Sequence, residues 1–358
     1  MNSLLECDAY VIGDVLRFLP YNNITMLRTI CSRFNNTVDA FLQQQTKVCG
    51  CWKCVQDFID ENPNVHVKEI NLYKGDDIDC CGEYSFHFPD TIEKMYVEDE
   101  TDAHIVMSLP KQLKVFHTGG IWDDGNINCP ELEEFLCCNT GASPPPYEFE
   151  PGSTTKIKTF VMDRCGDNGE NPMEFMEDSP LEKLMLSTAT DETLMNKNKL
   201  KYLECDKLDG SCFKNLQNLE HLMFTPEKTF DAKQFAHLTK LKVLEIEIEY
   251  EQNRYCDIYE MLKYVTPILE HIDISSKFLE NLSSSKLMEL AEFITTRFTQ
   301  LKGFYMYDCE DKLIKFTERI VELIPTIHVD RFMPNFLYKT IVKPNGFYNV
   351  CIHGSIFE

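Results

Sequence analysis

A six-residue pattern, apolar-x-x-apolar-x-apolar, returns along most of the chain and constrains its fold more than any other feature. Its units begin at Val67, Ile92, Leu113, Leu132, Ile157, Leu181, Leu200, Leu219, Leu241, Leu269, Leu301 and Ile324, with intervals of 19 to 32 residues. The last three positions alternate in, out, in, as a short strand requires. Thr118 and Cys205 stand at the sixth position of their units, so two rungs are imperfect. Each unit presents an apolar edge that only another unit covers, so the rungs are expected to stack into a solenoid.

A charge pattern supports this register. The second position reads Lys68, Glu93, Lys114, Glu133, Lys158, Glu182, Lys201, Glu220, Lys242, Glu270, Lys302, an unbroken alternation. In a stacked parallel sheet these side chains lie above one another, about 4.7–4.9 Å apart, where alternating charges attract. The period and core pattern resemble those of leucine-rich repeats. The expected fold is therefore an α/β solenoid, a leucine-rich-repeat horseshoe of about 11–12 rungs. In the long interval after Leu269, residues Leu287, Leu290, Ala291, Ile294 and Phe298 follow helical spacing and predict an amphipathic outer helix. The stretch Gly141-Ala142-Ser143-Pro144-Pro145-Pro146 reads as a loop insertion within the array, because the repeat resumes after it.

The first fifty residues have another period. Val11, Ile12, Val15, Leu16 and Leu19 form one helical stripe stopped at Pro20. Asn23 can cap a second helix carrying Ile24, Leu27, Ile30, Cys31 and Phe34, and Asn36 a third with Val38, Phe41 and Leu42. Three short helices bury little apolar surface alone and need a partner or the repeats to cover them. The order of these apolar residues through Ile30-Cys31-Ser32-Arg33-Phe34 resembles an F-box over residues 7–42, with Cys7-Asp8 where that family usually opens Leu-Pro and Phe34 where it has Trp. The resemblance implies a small all-α module of three helices that docks on a Skp-type adaptor, and through it on a cullin. The docking residues would be Val11, Ile12, Val15, Leu16, Leu19, Ile24, Leu27, Ile30 and Phe34.

An F-box followed by leucine-rich repeats resembles the non-catalytic substrate receptors of cullin-RING ubiquitin ligases. The other reading left open is a repeat scaffold for protein partners unconnected with ubiquitin. The expected organisation is an F-box-like module over 1–48, a helical linker or cap over 49–64, the solenoid over 65–335, and a C-terminal cap or tail over 336–358.

Charge and motifs exclude several other classes. With 35 basic and 58 acidic residues the net charge is −23, which disfavours nucleic acid and anionic membrane as partners. No apolar stretch reaches membrane-spanning length. Sixteen cysteines without an apolar leader suggest reduced thiols and a cytoplasmic or nuclear location. Cys49, Cys51 and Cys54 cluster, with Cys80-Cys81 and His66 following, but the second pair is adjacent rather than spaced, so buried thiols are preferred to zinc. Asp77-x-Asp79-x-Cys81-Gly82 lacks the later ligands of a calcium loop, since Phe88 stands where a bidentate Glu belongs. Phosphate-loop, dinucleotide, HExxH and GxSxG signatures are absent, so no catalytic residue, cofactor or metal is assigned and the chain is not expected to be an enzyme.

The candidate site lies instead on the outward strand positions, the fifth of each rung and the one after the sixth. On a horseshoe these line the concave side, where such proteins bind. They include Tyr73, Tyr96, Glu98, His117, Asp163, Glu204, Asp206, Glu245, Glu247, Asp273, Tyr305, Tyr307, His328 and Asp330, and none is Lys or Arg. Glu98, Asp163, Glu204, Asp206, Glu245, Glu247, Asp273, Tyr305 and Tyr307 are the expected contacts to a protein substrate carrying a basic segment, by charge pairing and cation–π contact.

Overall fold

The structure is a computed structural model that describes residues 36, 38–40, 42, 46–73, 84–97, 105–118, 126–138, 148–150, 152–163, 176, 179–208, 210–226, 230–247, 257–279, 282–306, 311–324 and 328–330. The chain divides into two compact units, 1–132 with 146–150, and 133–145 with 151–358. This division falls inside the stretch 65–335 that the repeat reading treats as one solenoid.

In the first unit, β1 (Lys47–Cys51) continues into α1 (Trp52–Glu61). Next come β2 (Glu69–Tyr73), β3 (Tyr84–His87), β4 (Lys94–Val97), β5 (Ile105–Ser108), β6 (Val115–Thr118) and β7 (Asn126–Ile127). Strands β1, β2, β4 and β6 pair in that order, all parallel. A second parallel pair joins β3 to β5. β7 pairs with β9 (Glu148–Phe149), which belongs to the same unit after β8 of the second unit has intervened in sequence.

The second unit holds a nine-strand parallel run, in sequence order apart from the omitted β9. It comprises β8 (Glu134–Cys138), β10 (Thr159–Asp163), β11 (Lys183–Ala189), β12 (Tyr202–Leu208), β13 (His221–Thr225), β14 (Val243–Ile246), β15 (His271–Ile274), β16 (Gly303–Tyr305) and β17 (His328–Asp330). Among the described residues its α-helices are α2 (Asp191–Leu194), α3 (Ile258–Leu262), α4 (Ser284–Arg297) and α5 (Asp311–Leu323). The expected outer helix is α4: Ser283 caps it by accepting from the Lys286 amide, and Leu287, Leu290, Ala291, Ile294 and Phe298 are all buried.

The repeat register holds from Val67 to Leu301. At the first, fourth and sixth positions of these eleven rungs no side chain is more than 6% exposed, Thr118 and Cys205 included. One strand per rung, stacked in parallel with its apolar positions inward, is the arrangement that leucine-rich repeats build. Two features differ from expectation. β1 pairs with β2 residue for residue, Lys47 with Glu69 through Cys51 with Tyr73, so a strand occupies part of the stretch 49–64 read as a helical linker. At the other end, Gly303 pairs with His328 and Tyr305 with Asp330. The last rung is thus displaced by two residues from the frame beginning at Ile324, and Asp330 rather than His328 takes the fifth position. Parity is unchanged, because a two-residue shift in a strand keeps the same face outward.

Of the N-terminal helices, Asn36, Val38–Ala40 and Leu42 are helical, with Val38 and Leu42 buried. Residues 1–35, which carry all nine adaptor-docking candidates, lie outside the described residues, as do the loop 141–146 and the calcium-loop imitation at 77–82.

The charge ladder stacks as the alternation predicts. In the first unit the Lys68, Glu93 and Lys114 amides each donate to the carbonyl one rung back at 2.8 Å. In the second unit the same bond, at 2.7–2.8 Å, runs from Lys158 through Lys302. Held this way, Lys114 reaches Glu93 (2.8 Å), Lys158 reaches Glu133 (2.7 Å), Lys201 reaches Glu182 (2.6 Å), Lys242 reaches Glu220 (2.7 Å) and Lys302 reaches Glu270 (2.5 Å). Glu93 bridges two rungs, with Lys68 at 3.4 Å on its other side. Hydrogen bonds from the lysines hold the Glu93, Glu182 and Glu270 carboxyls below their ordinary range.

Glu182 stands between Lys158 and Lys201, both of which attract it. Glu182→Lys places three ammonium groups in a row and should lower the melting temperature at low salt. The deficit should shrink as the Debye length falls from about 30 Å at 0.01 M to about 3 Å at 1 M. Thermal melts across that range check it; a deficit independent of salt would contradict the stacked ladder.

Candidate binding face

The strand register brings five fifth-position residues of the second unit side by side: Glu204, Met223, Glu245, Asp273 and Tyr305. Alternation puts the third position on the same face, giving a parallel row of Tyr202, His221, Val243, His271 and Gly303. These ten residues on β12–β16 include three carboxylates and no Lys or Arg. Lys183, at the third position of β11, is the neighbouring cation on this face. Its pKa is lowered by burial, and Glu134 and Glu182 are the acidic groups acting on it.

The outward position of these carboxylates does not leave them in water. Glu204 is 8% exposed, Glu245 2% and Asp273 6%. Third-position rings account for part of this. Tyr202 and His221 meet edge to face at 4.5 Å, and the Tyr202 hydroxyl donates to Glu204. His221 Nε2 bonds Glu245 Oε1. His271 and Tyr305 lie nearly parallel at 6.1 Å and 26°. Gly303 makes room for them, since a Cβ there would strike the Tyr305 ring and come within 2.6 Å of His271 Nδ1. Tyr305 is only 4% exposed, so it closes the end of the acidic row instead of standing at its edge as an open ring.

Asp273 differs from its neighbours. Glu204 has Tyr202 and Glu245 has His221, but no described residue makes a hydrogen bond or ion pair to the Asp273 carboxyl. Burial, then the charges of Glu245 and Glu247, raise its pKa well above the ordinary value. The side chain of Glu247 keeps an exposed surface just beyond β14. Partial withdrawal from water, then Glu245 and Asp206, push its pKa up to about 7. Burial is also the largest cause of a lowered pKa at His271. The Nδ1 atoms of His221 and His271 are buried without a hydrogen-bond partner.

Asp206 occupies a bulge. Cys205 pairs with Phe224 and Lys207 with Thr225, so Asp206 is the extra residue that opposes none on β13. Such a kink re-aims a side chain, and Asp206 still acts on Glu247 across the intervening rung.

The structure therefore brings Glu204, Asp206, Glu245, Glu247, Asp273 and Tyr305 of the expected contacts together. Glu98 and Tyr307 lie outside the described residues, and Asp163 ends β10 with its side chain undescribed. In the first unit Tyr73 is 41% exposed, and Tyr96 meets His117 edge to face at 4.9 Å. Tyr202, His221 and His271 were not among the expected contacts, although the third position follows the same parity rule as the fifth.

Among the described residues no cluster of His, Cys, Asp and Glu is placed to hold a metal ion, and no helix is long and apolar enough to cross a membrane. No protein-family model matches the chain, and no curated protein matches it. Among solved structures it is similar to the crystal structure of an internalin (inlF) from Listeria monocytogenes str. 4b F2365, with 13% identity and a TM-score of 0.46, over 86% of this chain and 93% of that one.

Proposed function

We propose that this chain is a non-catalytic recognition subunit that binds a protein partner through a basic segment on the strand face of β12–β16. The observation that carries this reading is Asp273, a carboxylate 6% exposed, with no hydrogen-bonding or cationic partner among the described residues. An unpaired buried carboxylate is costly, and an ammonium or guanidinium supplied from outside removes the cost. The partner's cation is seated over Glu245 and Asp273, with Glu204, Asp206 and Glu247 around it.

The F-box resemblance of residues 7–42, joined to repeats, supports docking on a Skp-type adaptor and delivery of the bound partner to a cullin-RING ubiquitin ligase. Leu16→Asp and Ile30→Asp should each abolish adaptor capture, because a charge buried in an apolar contact is strongly disfavoured. Melting curves should stay unchanged if the repeats remain folded. Capture of the purified adaptor by wild-type chain, lost in both variants, is the expected result. Absence of capture by the wild-type chain would leave a repeat scaffold unconnected with ubiquitin.

A further inference from the structure

Cys51 ends β1 and caps α1, and Cys54 lies in the first turn of that helix. The Cys51 thiol donates to Cys54 Sγ at 3.0 Å, and the Cys54 amide donates to Cys51 Sγ at 3.4 Å. Cys51 is buried at 8% exposure, whereas Cys54 is exposed. Both are reduced, and an approach of about 1 Å would complete an S–S bond of about 2.0 Å.

We infer that Cys51 and Cys54 form a reversible thiol–disulfide site whose oxidant is a small disulfide of the glutathione type. The division of labour follows from exposure and capping. Cys54 is open to solvent, so its thiolate attacks one sulfur of the oxidant; a new S–S bond forms, and one glutathione leaves as thiolate. Cys51 Sγ already faces the Cys54 sulfur and accepts the Cys54 amide at the start of the helix. It attacks the Cys54 sulfur, forms the internal disulfide and expels the second glutathione. Two cysteine thiols are oxidised and one glutathione disulfide is reduced, with the two thiol protons ending on the two glutathiones. The bond would fasten the end of β1 to the first turn of α1 across Trp52, which is buried and 6.5 Å from Phe88. This site is independent of what the strand face or the N-terminal segment binds.

Lys53 separates the two cysteines, so trypsin places Cys51 in the peptide Val48–Lys53 and Cys54 in the peptide Cys54–Lys68. The native full-length chain is incubated with reduced and oxidised glutathione at fixed ratios, trapped with a thiol alkylator, digested and weighed. The wild-type chain should yield the two peptides joined, and separated by reductant. Cys49→Ser should give the same result, since Cys49 shares the first peptide. Cys51→Ala should leave a stable glutathione adduct on Cys54, and Cys54→Ser should give neither adduct nor joined peptides. A wild-type chain that stays reduced at every ratio would overturn the inference. So would a glutathione adduct on wild-type Cys54 that never resolves, or joining that Cys49→Ser abolishes.

Discussion

Asp273→Asn should stabilise the folded chain at pH 8, because it keeps a polar group of the same size but removes the negative charge that burial, Glu245 and Glu247 disfavour. The sign follows from linkage. A carboxyl whose folded pKa is raised holds its proton more tightly folded than unfolded, so protons favour the fold. Stability then falls as pH rises from the ordinary carboxylate range up through the raised value. Glu247, at about 7, carries part of this decline through neutrality. The groups facing Asp273 are Glu245 on β14, Glu247 beyond it, His271 on β15 and Tyr305 on β16, none of them a fixed cation. The gain from Asp273→Asn should therefore shrink toward pH 4. Glu93, Glu182 and Glu270 titrate in the opposite sense: their lowered pKa values give stability present above the ordinary range and lost as pH falls through them. Denaturant titrations of wild type and variant at both pH values separate the two windows. A variant less stable than wild type at pH 8 would mean that the carboxylate has a stabilising role in the free chain.

Phe235→Ala should destabilise the second unit by about 3–5 kcal/mol, the usual cost of emptying a buried phenylalanine site. Phe235 is 1% exposed and lies in a six-residue 3-10 helix, Ala232–His237, between β13 and β14 in sequence. Its ring touches Phe213 at 5.3 Å, Phe230 at 5.6 Å and Phe224 at 5.9 Å, and Phe224 and Phe230 are 5.2 Å apart. Four aromatic rings from successive rungs cannot close over such a gap without moving their strands. In a stacked array the loss falls first on the neighbouring rungs. Hydrogen exchange should show weakened protection in β12–β14 before β16, and equal weakening in every strand would contradict a rung-by-rung core.

The inward half of this architecture was legible because its rule is short. Three apolar positions per rung, at a bounded interval, sufficed to place Val67 to Leu301, and the alternating second position tied each rung to the next. The same rule failed where side chains do not carry the pattern. In β1, Val48 is followed by Cys49 and Gly50, so pairing with β2 is made by backbone alone and leaves no apolar signature. At β17 the apolar frame begins at Ile324, whereas pairing with Gly303–Tyr305 selects a frame with Thr326 first and Arg331 sixth, which lacks the apolar signature. The pair β7–β9 spans two residues per strand, too few to show a period.

The candidate face was half legible for a similar reason. Outward parity identified Glu204, Glu245 and Asp273, and their acidity was plain. Their burial was not, because it depends on what stands beside them at the third position: the Tyr202 and His221 rings, the His271–Tyr305 stack, and the absent side chain of Gly303 that lets Tyr305 lie back. Two outward rows must be read together before a row of solvated acids becomes a row of desolvated ones.

Calorimetric titration of the full-length chain with a lysine-rich peptide, at pH 7 in two buffers of different ionisation enthalpy, tests the central claim most directly. A cation seated beside Asp273 and Glu247 makes their ionised forms favourable, so binding must release protons and the observed heat must differ between buffers. Affinity should fall as salt rises, and Glu245→Lys combined with Glu247→Lys should remove binding. Asp273→Asn should bind about tenfold more weakly, the loss of one charge-assisted contact, while melting at a higher temperature. Equal binding of an acidic peptide, heats identical in the two buffers, or affinity indifferent to the double reversal would contradict the account.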